Sequence, residues 1–345
     1  MISPGEKAYA FSKASGIIGK SFVGRRIPAL YPVSRLAELD QLVFGQLSRE
    51  LPERELLPDL ERRFSARSVD AVSAVLKSFR KPPAALILLL RAYEYSDLKT
   101  ALALIAENET AIDEISGKPV YTHLGRFGTV NFNAWPDAGA MLAGTDYVFI
   151  LEKLGKNQDG GMSMETMQTM VSSLDCHYYS RLMESLLCLE KKDRLAAEKI
   201  TAEEIALRNC VWALRLRRYY GMKKEEVREH LVVIGKGNEF CADAVAALGF
   251  SLDDYGEWEK WKRVQFLNPD SSRWQADPRY FQNAAADYLY RLAFRGFRSS
   301  LSFIDKVFCF IKLKQFEEDL LTSCAEGLGL GMTSKDVFNM QEAAP

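Results

Sequence analysis

Histidine is scarce in this chain: His123, His177 and His230 are the only three among 345 residues. They are far apart in sequence, and no His-Glu-x-x-His helix or Gly-x-Ser-x-Gly turn occurs. The six cysteines (Cys176, Cys188, Cys210, Cys241, Cys309 and Cys324) form no Cys-x-x-Cys pair. Their scatter fits reduced, mostly buried thiols rather than a disulfide framework or a zinc site. Cys176 and His177 are neighbours, but on a helix adjacent side chains diverge by about 100°. The pattern therefore predicts no catalytic residue, no metal site and no cofactor. Charge of one sign is also lacking, with Lys plus Arg at 45 and Asp plus Glu at 46. A dedicated nucleic-acid binder needs a basic excess to neutralise phosphates, so that class is excluded. Long apolar runs are missing as well. The longest, Ala84–Leu90, sits between Lys81 and Arg91, far short of the about 18 residues that span a bilayer. No basic stretch leads into an apolar one at the N-terminus, which predicts no signal peptide.

Proline is absent between Pro136 and Pro269, although nine prolines precede that stretch. The intervening sequence is rich in Leu, Ala, Glu, Lys and Met, which favours helices. Thr201 and Glu204 have capping-box spacing and predict a helix start near Ile200. Arg215, Arg217 and Arg218 fall where cations offset the dipole at its end, and Gly221 suits a left-handed cap. That end explains Arg215–Tyr220 without invoking single-stranded nucleic acid. Asp277-Pro278 predicts a second start, opening Arg279–Arg298. Thr333 and Asp336 predict a third, before Val337-Phe338. Only Val130–Phe132 and Leu231–Ile234 read as β-like, and residues 116–139 read as loop. The aromatic residues Tyr178, Tyr179, Trp212, Trp258, Trp261, Tyr280 and Tyr288 read as core or groove. The expectation is an all-α chain with one irregular connection.

Two glycine clusters invite a nucleotide-binding reading, and neither meets its requirements. In Ala14–Ser21, Ala14 stands where a phosphate loop needs its first glycine, and no buried strand precedes it. A helix ending near Gly19 is the better reading. Gly327, Gly329 and Gly331 have the wrong spacing for a dinucleotide fold and follow a helix, so a flexible helix terminus is expected there.

A weak internal repeat is present. Glu precedes Leu by four residues in Glu94–Leu98, Glu203–Leu207 and Glu317–Leu321, and the glutamates are 109 and 114 residues apart. Each lies in a helix-like stretch. Repeats of this length would be whole helical bundles rather than solenoid units.

Several stretches together resemble the C-type stalk subunits of V-type and archaeal-type rotary ATPases, a family whose eukaryotic counterpart is the d-type component of the membrane sector. Tyr9–Lys20 resembles the family's opening helix, with Lys13 and Ser15 where arginines are usual. Gly144–Tyr147 followed by Leu151 resembles its Thr-x-Tyr-x-x-x-Leu pattern. Glu94–Lys99 and Glu203–Arg208 resemble its acidic-x-x-Asn-Leu-Lys/Arg segments, with Asp97 and Ala206 in place of Asn. Phe310–Glu318 through Gly331, and Met332–Asp336, resemble its last helix and closing turn.

The resemblance implies an all-α fold of three similar helical bundles in a funnel about a pseudo-threefold axis. It divides the chain into repeats at 1–115, 137–235 and 236–345, with an irregular connection at 116–136. It also implies a non-catalytic role at the cytoplasmic face of the membrane. The protein would socket the central-stalk D–F shaft onto the proteolipid ring and couple ATP turnover to proton or sodium movement. Glu94, Leu98, Glu203, Leu207, Glu317 and Leu321 are then repeat markers with a structural role. The other readings are a generic helical scaffold for a protein or peptide, and an enzyme with a dispersed carboxylate site.

Overall fold

The computed structural model describes residues 2–45, 51–106, 121–154, 164–235, 239–268 and 276–342. Among them are thirteen α-helices, short 3₁₀ turns and no extended strand. The helices are α1 (Pro4–Ile18), α2 (Leu36–Phe44), α3 (Glu53–Leu76), α4 (Ala84–Ala106), α5 (Ala138–Leu142), α6 (Leu151–Leu154) and α7 (Met164–Leu187). They continue with α8 (Leu195–Tyr220), α9 (Lys224–Glu229), α10 (Ala242–Ala247), α11 (Pro278–Ser299), α12 (Phe303–Gly329) and α13 (Ser334–Glu342).

Six long helices form three consecutive hairpins: α3–α4, α7–α8 and α11–α12. Each hairpin meets the next, because α4 packs on α7, α8 on α11, and α12 back on α3. The helices α4 and α8 also touch α12. Buried apolar side chains gather in three clusters. The first joins α1, α3, α4 and α7 with the starts of α8 and α12. The second joins the latter half of α8 with residues 227–285. The third joins residues 22–64 with 321–338, bringing the two ends of the chain together.

Local signals account for several helix ends. Ser3 and Glu6 form a capping box with Pro4 at the first helical position, and α1 ends at Gly19 as expected. Gly221 closes α8 with φ 63°. The Asp277 side chain accepts from the Arg279 amide. Thr333 and Asp336 bond reciprocally at the start of α13.

The expected start of α8 falls too late in the chain. The helix begins at Leu195, and Thr201 is buried inside it. Its cap comes from another helix. The buried Asp305 carboxylate of α12 accepts from the Ala196 and Ala197 amides at 3.0 and 3.1 Å. A carboxylate there meets both the unpaired amides and the positive end of the dipole. No window of sequence around Ile200 contains that partner. Glu204, freed from capping, points to Lys312 instead.

The β-like segments also resolve differently. Phe132–Ala134 is a 3₁₀ turn, and Leu231–Ile234 holds a single bridge residue. The buried Asn209 side chain donates to the Val232 carbonyl at 3.0 Å and accepts from its amide at 2.8 Å. One amide side chain thus supplies the two bonds that a neighbouring strand would have made.

The glycine run does close a helix, but Gly327 lies within α12 for a packing reason. A Cβ at this position would stand 2.2 Å from Val337 Cγ2, because α13 folds back onto α12 there. Gly331, with φ 78°, makes the reversal.

Asp305→Ala should lower unfolding free energy by about 2 kcal/mol, the upper range for a lost cap. Thr201→Ala should cost less than half of that, and urea denaturation of both variants checks the assignment. Gly327→Val should cost about 1–3 kcal/mol by overpacking; a midpoint equal to that of the wild type would contradict the close approach.

Candidate functional site

The three inner helices α4, α8 and α12 converge on one polar cavity of about 510 Å³, with α3 and α7 completing its wall. Tyr93, Glu204 and Lys312 line it, and each is the tenth residue of its helix. At 1.5 Å per residue, the cavity begins roughly 14 Å up each inner helix. Side chains thus arrive at the same depth from three separate parts of the chain.

The lining is ionic. Five carboxylates (Asp97, Asp175, Glu204, Glu318 and Asp319) face three cations (Lys99, Arg208 and Lys312). Asp175 of α7 pairs with both Lys99 of α4 and Arg208 of α8. Lys312 of α12 pairs with Glu204 of α8 at 2.6 Å. Tyr179 donates to the same Glu204 at 3.1 Å. Tyr93 donates to Glu318 and lies 2.9 Å from the Ser68 hydroxyl. Thr122 donates its amide to Asp97 at 2.7 Å. Except for the Thr122 bond, these cross between helices, so they hold the wall open as well as neutralising it.

Burial shifts several of these groups. It raises Asp97 above the usual carboxylate range and lowers Lys99, against the pull of Asp175. It pushes the Tyr178 and Tyr179 phenols well up, with Glu204 adding to the effect. Asp319 opens into the cavity, yet protein surrounds it. That environment, with Glu318 beside it, raises its carboxyl to about 6.

The repeat markers lie next to this cavity rather than in it. Glu94 is buried and accepts from the Thr129 hydroxyl at 2.7 Å, the Val130 amide at 3.1 Å and the Tyr147 hydroxyl at 2.9 Å. Glu317 is buried, accepts from the Phe22 amide at 2.8 Å, and pairs with Lys314 and Arg67. Glu203 is half-buried and pairs with Arg263 at 2.6 Å. Leu98, Leu207 and Leu321 are fully buried, one in each apolar cluster. The six markers do not converge on one another. Each glutamate ties its own inner helix to a nearby segment.

The residues that do converge were only partly visible in the sequence. Lys99 and Arg208 directly follow the marker leucines, so the cation after Leu was a usable signal. Thr322 breaks it in the third segment. Asp175, which joins the two cations, carries no sequence mark at all. His177 contacts the Tyr95 hydroxyl at 2.7 Å through Nδ1 and lies against Phe149. Among the described residues no group of His, Cys, Asp and Glu has a metal-binding arrangement, and no disulfide joins the cysteines. No described helix is long and apolar enough to cross a membrane.

Fold and cavity define a class: an all-helical protein whose polar interior is built from ion pairs between inner helices. The chain belongs to the ATP synthase (C/AC39) subunit family, which it matches over residues 37–339. Members of this family are non-catalytic components of rotary ATPases. The chain is also similar to an uncharacterized protein of Treponema pallidum (strain Nichols), with 26% identity over 329 residues, covering 94% of this chain and 92% of that protein.

The raised carboxyl gives a pH test. Folded Asp319 holds its proton more tightly than in the unfolded chain, where a value near 3.8 applies. Its contribution is therefore favourable at low pH and is lost as pH rises through about 6. Asp319→Asn should gain up to about 1 kcal/mol over the wild type at pH 7.5, after discounting for solvent in the cavity. The gain should vanish near pH 4, as read from urea midpoints at the two pH values.

Proposed function

We propose that this chain is the central-stalk component that seats the D–F shaft on the proteolipid ring of a V/A-type rotary ATPase. The charged cavity is the socket. The observation that carries this reading is the arrival of Tyr93, Glu204 and Lys312 at one depth of one cavity, in a chain of this family. The cyclic contacts of the three hairpins, and the placement of the three marker leucines in three apolar clusters, support a pseudo-threefold funnel. In that reading, residues 1–115, 137–235 and 236–345 are its repeats and 116–136 their connection. The protein sits at the cytoplasmic face and passes torque between ATP turnover in the head and proton or sodium movement in the ring.

The lining suits such a socket. A shaft end must be gripped against rotation, which needs directional bonds rather than a smooth apolar sleeve. Cross-linked inner helices resist the twist, because sliding one past another would strand buried charges. The glutamates at 94, 203 and 317 are structural in this reading and do not touch the shaft.

Gel filtration of the full chain with the D–F complex from the same organism should give a one-to-one peak. Glu318→Lys and Arg208→Glu should each weaken that complex at least about tenfold, the scale of a lost charge contact at an interface. Glu203→Gln should lower the melting temperature, because Arg263 keeps only its pair with Asp243, and leave shaft affinity within about twofold. Failure of two folded partners to co-elute at low salt would overturn the shaft assignment. An unchanged melting temperature with lost shaft binding in Glu203→Gln would overturn the structural role of the glutamates.

A further inference from the structure

The turns of the three hairpins come together at one end of the molecule. They are residues 77–83 between α3 and α4, 188–194 between α7 and α8, and 300–302 between α11 and α12. The first two turns of α1 clasp them. Glu6 accepts from the Arg80 amide of the first turn at 2.8 Å. Lys7 pairs with Asp193 of the second. Ser302 of the third donates to the same Asp193 at 2.6 Å. The three turns therefore form one tied face rather than three loose loops.

This face has a composition unlike the chain as a whole. The three turns, with Glu6 and Lys7 of α1 and Arg298 beside the third turn, carry eight basic side chains and three acidic ones, in a chain of net charge −1. The acidic groups are already engaged: Glu6 with the Arg80 amide, Glu190 with Lys192, and the buried Asp193 with Lys7. Lys77, Arg80, Lys81 and Lys191 are exposed and make no ion pair among the described residues. Between these cations, single leucines project from the turns. Leu187 and Leu195 flank the second turn and are more than half exposed, and Leu301 in the third is fully exposed.

We propose that this hairpin-turn face rests on an anionic phospholipid surface. Unpaired lysine and arginine would lie among the headgroup phosphates, and Leu301, with Leu187 and Leu195, would enter the boundary with the acyl chains. Basic side chains near such a surface each add to the attraction, and interspersed apolar side chains anchor it. A protein partner fits less well. Isolated leucines at separate turns offer no contiguous apolar patch of the kind an interface core needs. A lipid surface accepts them without matching their spacing. The proposal is independent of the shaft socket, which begins farther up the same helices.

The test is sedimentation of the full chain with sucrose-loaded vesicles. Phosphatidylcholine vesicles containing about one-third phosphatidylglycerol are compared with phosphatidylcholine alone at low salt. The expected result is at least about tenfold greater partition onto the anionic vesicles, falling steeply as salt screens the charges. The Lys81→Glu/Lys191→Glu double variant should lose about tenfold or more, and Leu301→Ser should lose several-fold. All three side chains are exposed, so melting temperature and shaft co-elution should stay at wild-type values in both variants. Equal partition onto the two kinds of vesicle would overturn the proposal, as would undiminished binding of the double variant.

Discussion

The long helix α12 must bury its own charges, and much of the structure is arranged to let it. Asp305, Lys312, Lys314 and Glu317 are all nearly inaccessible to solvent. A buried charge left without a partner costs several kcal/mol, so each fixes the position of something else. Asp305 fixes the start of α8. Lys312 fixes Glu204 on the same helix. Glu317 fixes Lys314, Arg67 of α3 and the backbone at Phe22. Burial alone would raise the Glu317 carboxyl, yet Lys314 and Arg67 hold it below its usual range. Burial lowers the Lys314 ammonium against the pull of Glu317. Removing one member of such a set costs about 3–5 kcal/mol, which is a large share of a protein's stability.

The same requirement explains why the centre is a cavity rather than a core. The inner faces of α4, α8 and α12 carry charged and phenolic groups that apolar packing would leave unsatisfied. Ion pairs between neighbouring helices satisfy them only if the helices stay apart. Asp175 does this twice, reaching a cation on each side from α7. Apolar packing is carried below the cavity, where α4 and the starts of α8 and α12 share the first cluster, and by the contacts around it. A frame held by interdigitated apolar contacts and by fixed ion pairs between its inner helices is stiff. That stiffness suits the torque-coupling role proposed above.

The two ends of the inner helices have opposite tasks. At one end, the turns are clasped by α1 and present basic side chains outward. Farther along, the same helices present mostly acidic groups inward. The hairpin helices are continuous between these two levels. Gly327 and Asn209 show how closely the surrounding segments are fitted to this frame. One permits α13 to lie against α12, and the other ties the 231–234 segment to α8.

The sequence alone determined the helical class, because a long proline-free stretch with capping residues and left-handed glycine stops encodes helices locally. It placed the ends at Gly19, Gly221 and Asp277, where cap and helix are adjacent in the chain. It marked the three inner helices through Glu94, Glu203 and Glu317 and the leucines that follow them. Lys99 and Arg208 directly follow two of those leucines, although nothing in the sequence marked them as site residues, and its lack of histidine and cysteine motifs pointed to no chemistry. Only the tertiary structure decided where α8 begins, since its cap is Asp305, more than one hundred residues away. Only the tertiary structure tied residues 231–234 to the Asn209 side chain, and made a cavity of residues from five helices. Local order is written in neighbouring residues. The pairing of buried charges is a property of surfaces that meet only after the chain has folded.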